Sequence, residues 1–265
     1  MTPAIVTLRR GGTPLLVSLP HIGQHIPGEM QAAFLPSALQ VEDTDWFLDR
    51  LYDFVPELGA GLILPQYSRY VIDLNRPSDN APMYPGVNNT ALVPTTSFTG
   101  DALYRDSMEP DAAEIERRIA DYWRPYHEAL GAELARLRGE HGYAILFDGH
   151  SIKSELPWLF PGRLPELNLG TVDGTSCAHS LRDRLVTVLG SQTRFSQVVD
   201  GRFKGGHITR HYGRPQEGVH TLQLEKCWSC YMEETPPFTW NATRAALLQP
   251  LLRELLQAAL SWSPA

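Results

Sequence analysis

The chain has 265 residues, 43% hydrophobic and 20% charged, a globular balance with enough apolar material for a sizeable core. Its formal net charge of −7 argues against general nucleic-acid binding, which needs clustered Lys and Arg to neutralise phosphate. It has three cysteines (Cys177, Cys227, Cys230), no basic start leading into an apolar stretch, and no run near the roughly 20 apolar residues of a membrane span. A cytoplasmic chain without signal peptide or membrane contact is therefore expected.

Taken in order, residues 4–9 (AIVTLR) and 14–19 (PLLVSL) read as strands, and residues 43–55 as a helix. Residues 61–65 (GLILP) and the stretch around Tyr70, Val71 and Ile72 read as further strands. A long helix follows Pro110, where Ile115, Ile119, Tyr122, Tyr126, Leu130, Leu134 and Leu137 recur at helical spacing. Pro125 should kink or split it. YAILF, ending at Asp148, and VHTLQL, ending at Glu225, are the last predicted strands. A terminal helix carries Leu247, Leu248, Leu251, Leu252, Leu255 and Leu256, with a kink expected at Pro250. Residues 77–108 and 156–175 are rich in Pro, Gly and Asn and read as long ordered loops, which in a compact domain are usually functional. The alternation predicts one α/β domain with a mixed, largely parallel sheet flanked by helices.

Polar residues fall at informative places along these strands. PLLVSL runs into Pro20-His21, YAILF into Asp148-Gly149-His150, and VHTLQL into Glu225. Ligands of open α/β sheets bind outside the carboxyl ends of the strands, so His21, His150 and Glu225 become candidates for one site. A catalytic zinc takes three protein ligands, commonly His with Asp or Glu, and leaves a position for water. His21 and His150 supply two. Asp43, Asp45 and Asp49 each offer the carboxylate, and Asp45 is the choice. Asp148 is placed to orient a ligand histidine, and Glu225 to act as general base.

Asp73-Leu74-Asn75-Arg76, again at a predicted strand end, presents a guanidinium fork and an amide suited to a carboxylate. A second basic group, residues 201–210 (GRFKGGHITR), would suit the other end of a dicarboxylic ligand. Other motifs carry less. Cys227 and Cys230 have C-x-x-C spacing without a thioredoxin-like context. Gly149-His150-Ser151 lacks the closing glycine of a nucleophile elbow. Asn88-Asn89-Thr90 and Asn241-Ala242-Thr243 match a glycosylation acceptor that matters only in a secreted chain.

These residues resemble the N-formylglutamate deformylase (N-formylglutamate amidohydrolase) family. The likeness runs from LLVSLPHIGQHIP through EDTDWFLDRLYDF, SRYVIDLNRP and YWRPYHEAL. It continues in LFDGHSIKSELPWLFPGRLPELNLGT, GRFKGGHITRHYG and GVHTLQLE followed by Tyr231-Met232. The family is more distantly similar to zinc carboxypeptidases and aspartoacylases, so the resemblance implies a zinc-carboxypeptidase-like (phosphorylase/hydrolase-like) fold. It also implies a single catalytic amidohydrolase domain over residues 1–265. By position it makes His21 and His150 ligands of one Zn2+ per chain, Asn75 and Arg76 the carboxylate clamp, and Glu225 the base. Those distant relatives place their acidic ligand where this chain has Gln24, so Asp45 is inferred rather than matched.

The implied reaction is hydrolysis of N-formyl-L-glutamate to formate and L-glutamate, the final step of one histidine-degradation route. Arg202 and Arg210 are the candidates for the second carboxylate. Three other readings compete: a related zinc deacylase of another N-acyl amino acid, a serine hydrolase using Ser151, and a non-catalytic anion-binding module. Oligomeric state is not legible from the chain.

Overall fold

Leu15, Leu16 and Val17 are fully buried, and they alternate between two apolar cores on opposite faces of one sheet. Ala144 to Phe147 alternate in the same way, which is why these runs read as continuously hydrophobic rather than half-polar. The computed structural model describes residues 3–82 and 88–264. In chain order it contains β1 (Val6–Arg9), β2 (Leu15–Ser18), the single turns α1 (Gly28–Gln31) and α2 (Leu48–Leu51), and β3 (Gly61–Pro65). There follow α3 (Ala112–Arg118), a π-helical turn (Ile119–Trp123), α4 (Arg124–His141), β4 (Ala144–Ile152), β5 (Leu167–Gly170) and α5 (His179–Gly190). The chain closes with β6 (Gln197–Val199), α6 (His207–Tyr212), β7 (Val219–Cys227) and α7 (Ala242–Leu260).

The seven strands form one sheet in the order β1-β3-β2-β4-β7-β5-β6. β1–β3 and β5–β7 are antiparallel and the other pairs parallel, the mixed, largely parallel sheet expected from the alternation. On one face α4 packs Tyr126, Leu130, Leu134 and Leu137 against Leu16 and Leu146. On the other, α5 and α7 bring Leu181, Leu185, Leu248, Leu252 and Leu256 against Ile145 and Leu222.

Several expectations need correction. Residues 43–55 form no continuous helix; only Leu48–Leu51 is α-helical, and Val55 opens a separate 3-10 turn. Val41 and Phe47 have φ of 46° and 59°, left-handed values that a bulky side chain rarely adopts, and they turn the backbone out of any helix on both sides of Asp45. Tyr70, Val71 and Ile72 are buried but lie in no strand: Val71 N donates to Ser68 O at 2.9 Å, closing a turn. Pro125 does split the long helix. It is the second residue of α4, directly after the π-helical turn that interrupts the α-helical pattern of residues 112–141. Pro250 leaves α7 uninterrupted.

Residues 156–175 contain β5, whose LNLG was too short and too rich in Asn and Gly to stand out. Within residues 77–108 the described part holds no helix and only isolated bridges, while 83–87 lie outside the described residues. β4 and β7 also run further than expected, to Ile152 and Cys227. His150 and Glu225 therefore sit within the strands' last turns of pleat, not beyond them. No helix is long and apolar enough to cross a membrane among the described residues.

Candidate functional site

β2, β4 and β7 are adjacent and parallel, so their carboxyl ends open on the same edge. Register places His150 directly across from Glu225, and paired residues project to the same face of a sheet. His21 follows β2, and its carbonyl accepts from Asp45 N at 2.9 Å, which ties the strained 41–47 turn to the strand end. Among the described residues, His21, Asp45 and His150 are the one group of His, Cys, Asp or Glu able to hold an ion. Their ligand atoms lie within 4.8 Å of one another, and all three residues are buried.

The two imidazoles are oriented alike. His21 Nε2 lies 2.7 Å from Asp73 Oδ1 and His150 Nε2 lies 2.9 Å from Asp148 Oδ2. A carboxylate only accepts, so each Nε2 carries a proton. The opposite nitrogens, both Nδ1, then face Asp45 Oδ2, at 3.9 Å from His21 and 3.2 Å from His150. Asp45 Oδ2 is itself buried without a hydrogen-bond partner. Two imidazole nitrogens aimed at an unsatisfied carboxylate oxygen, each backed by an acid on the far side of its ring, is the donor arrangement of a transition-metal site. The residues present therefore fit a divalent ion. The acids Asp43, Asp45, Asp73, Asp148 and Glu225 also outnumber the buried cations Arg69 and Lys226, an excess such an ion would offset.

The orienting acids are anchored in turn. Asp73 bonds the Arg69 guanidinium and accepts from Asn75 N at 2.9 Å. Asp148 Oδ1 accepts from Ser18 Oγ at 2.9 Å, and Ser18 meets the Tyr126 hydroxyl at 2.9 Å. Ionisation follows from this packing. Burial opposes its charge, but Arg69 and His21 hold Asp73 well below the usual carboxylate range. Burial and the positive charge of Arg69 push His21 down. His150 goes the other way, against burial, because Asp148 and Asp45 raise it to about 10. Asp45 is likewise buried, yet the two histidines hold it below its ordinary value. Without an ion, one proton on His150 stands in for part of the missing positive charge.

Glu225 is pushed up to about 7 by burial and by the charge of Asp45, against the pull of His150. Lys226, on the next position of β7, is wholly buried; its Nζ donates to His150 O at 2.5 Å and to Leu224 O at 3.2 Å. Burial lowers it to about 8.

His21, Asp45 and His150 line a cavity of about 80 Å³ that opens to the surface. Asn75, Arg76 and Arg202 stand in its wall, as do Arg69 and Phe98, which stack at 4.5 Å. Arg76 is braced by Thr90, through Nε to the carbonyl at 2.9 Å and through a terminal nitrogen to Oγ1 at 2.7 Å. Arg202 donates to Leu159 O at 3.0 Å. Arg210 Nε bonds Gly205 O at 3.0 Å, beside Gly206 in the cavity wall. Gln24 is exposed in a separate hollow beside His25 and Asp49.

Sequence reasoning did not single out Arg69, the orienting role of Asp73, or Lys226. Arg69 and Asp73 both lie in SRYVIDLNRP, but nothing in that run shows that Asp73 meets a histidine 52 residues away.

Comparison with known proteins gives a consistent result. A family model described as N-formylglutamate amidohydrolase matches residues 13–232. An N-formylglutamate deformylase of Pseudomonas aeruginosa is 48% identical over 97% of each chain. One of Pseudomonas putida is 46% identical over 97% of this chain and 96% of its own. The crystal structure of N-formylglutamate amidohydrolase from Ralstonia eutropha JMP134 superposes with a TM-score of 0.81 at 26% identity, covering 97% of this chain and 96% of that one.

Proposed function

The chain belongs to the N-formylglutamate amidohydrolase family, hydrolases of an amide C–N bond, and we propose that it hydrolyses N-formyl-L-glutamate to formate and L-glutamate with zinc. His21, Asp45 and His150 would hold one ion per chain. The observation that carries this is the pair of Nδ1 atoms turned toward one buried oxygen, Asp45 Oδ2. Zinc bound there would polarise the formyl carbonyl and lower the pKa of water to about 7.

The chain's own residues supply the rest. Glu225, at about 7, is tuned to take a proton from the attacking water and return it to the departing α-amino nitrogen. Arg69, in the cavity wall, is a fixed donor for the oxygen that gains charge, a role worth ~10²–10³ in rate where it has been removed elsewhere. Asn75 and Arg76 orient the α-carboxylate and Arg202 the side-chain carboxylate, so the substrate is a small dicarboxylic N-acyl amino acid. Arg210 stays the alternative candidate for that side-chain carboxylate. Ser151 Oγ accepts from Tyr231 at 2.7 Å, and burial keeps that phenol protonated, so it offers no base for a serine nucleophile.

Residues 1–265 would act as one catalytic domain, kin to the zinc carboxypeptidases, in the cytoplasm and in histidine degradation. Purified protein should release formate from N-formyl-L-glutamate, lose that activity on chelation and regain it with Zn2+. Full activity after exhaustive chelation, or clear preference for N-acetyl-aspartate, would overturn the reading.

A further inference from the structure

Leu74, Asn75 and Arg76 lie outside every strand and helix, so their carbonyls have no ladder partner and must be satisfied another way. Three successive carbonyls each meet a different donor. His127 Nε2 reaches Leu74 O at 2.9 Å, the backbone N–H of His207 reaches Asn75 O at 3.3 Å, and Trp123 Nε1 reaches Arg76 O at 2.9 Å. Because a carbonyl only accepts, His127 carries its proton on Nε2. Its Nδ1 is then an acceptor, and it faces the Tyr212 hydroxyl at 3.0 Å. The Trp123 and His127 rings stack with centroids 3.8 Å apart, one turn from each other where the π-helical turn passes into α4. Single π-turns inside α-helices are frequent at functional sites.

We propose that Trp123 and His127 are positioning residues for substrate: by holding the carbonyls on either side of Asn75, they set the direction of the Asn75–Arg76 clamp. The inference rests on the reading of that pair as the carboxylate clamp. The two rings give rigid, directional donors with few rotamers to freeze. The Asn75 amide is itself held by Ile208 N, which donates to Oδ1 at 2.8 Å, and that bond turns Nδ2 toward His150. Gly206 completes the fit: a Cβ there would stand 2.3 Å from Asn75 Nδ2.

The test compares N-formyl-L-glutamate with its α-amide, which lacks the charge the clamp would bind. His127→Phe keeps a ring against Trp123 and removes the donor; His127→Gln restores an N–H at similar reach. A single neutral hydrogen bond predicts a rise of about 3- to 10-fold in KM for N-formyl-L-glutamate, with kcat within about 2-fold. KM for the α-amide should be unchanged, and His127→Gln should recover most of the loss. Trp123→Phe should reproduce the shift, and decides the matter alone if His127→Phe does not fold. An unchanged KM, an equal loss on both substrates, or no recovery by His127→Gln would overturn the inference. Arg76→Ala serves as the control. If it leaves KM for N-formyl-L-glutamate unchanged, the clamp reading itself fails; if it raises KM while His127→Phe is silent, only the positioning role fails.

Discussion

Asp73→Asn isolates what the orienting acids contribute. Asp73 is fully buried and serves three donors, His21 Nε2, the Arg69 guanidinium and Asn75 N. Asn matches its shape but keeps one acceptor oxygen and adds two donors, so its amide must confront either His21 Nε2–H or Arg69. Loss of an acid that orients a metal-binding histidine typically weakens metal affinity about 10- to 100-fold. Leaving Arg69 buried without its acid adds a stability loss of about 3 kcal/mol, or roughly 6–12 °C in Tm for a chain of this size. Asp148→Asn is the matched comparison. Asp148 serves His150 and Ser18 and no guanidinium, so it should weaken metal binding similarly with a smaller loss of Tm. Competition with a chromophoric chelator gives the affinity, and thermal melts of the metal-free proteins give the stability. Wild-type affinity in Asp73→Asn would refute the orientation argument. An equal Tm loss in both variants would refute the assignment of the excess to Arg69.

Glu225→Gln should keep metal and lower kcat by about 10²- to 10⁴-fold, the usual worth of a general base; loss of metal instead would make Glu225 a ligand. Arg76→Ala should raise KM for carboxylate-bearing substrates well above any change in kcat, as steady-state kinetics would show. An ion beside Glu225 would pull its carboxyl below the value of about 7 that it has without metal, so kcat of the loaded enzyme should reach its plateau below pH 7, and Glu225→Gln should abolish that limb. The same raised pKa means metal-free folded protein holds the Glu225 proton where the unfolded chain has lost it. Its stability contribution is thus complete below the ordinary carboxylate range and declines as pH rises to about 7. Metal-free Glu225→Gln should therefore melt above wild type at pH 8, with the gap closing by pH 5. His150, held near 10 without metal, must give up a proton on binding, so metal affinity should tighten from pH 6 to pH 8.

The strand ends were the legible part of the site. PLLVSL, YAILF and VHTLQL are rich in apolar residues because both faces of their sheet are covered, and polar groups interrupt that pattern near the carboxyl ends before Ile152 and Cys227 rejoin the core. His21, His150 and Glu225 are the interruptions that share one edge of the sheet. Asp45 was reachable through its acidic stretch, but its surroundings were misjudged, since helical composition between Asp43 and Val55 is overridden by left-handed Val41 and Phe47. Asp73 as partner of His21 and Lys226 against the His150 carbonyl arise from tertiary approach, which no local spacing encodes. β5 escaped for a related reason: LNLG pairs antiparallel with β7 through residues 167–170, and that partner, not its own propensity, makes it a strand.

The central claim is that His21, Asp45 and His150 hold the catalytic ion. A metal-bound crystal structure with anomalous scattering at the zinc edge, on protein whose metal content has been measured, tests it most directly. The account predicts one ion per chain, bound by Nδ1 of both histidines and by an Asp45 oxygen, with Glu225 beside it and not bound to it. An ion ligated elsewhere, or an active protein with no ion at these three side chains, would contradict it.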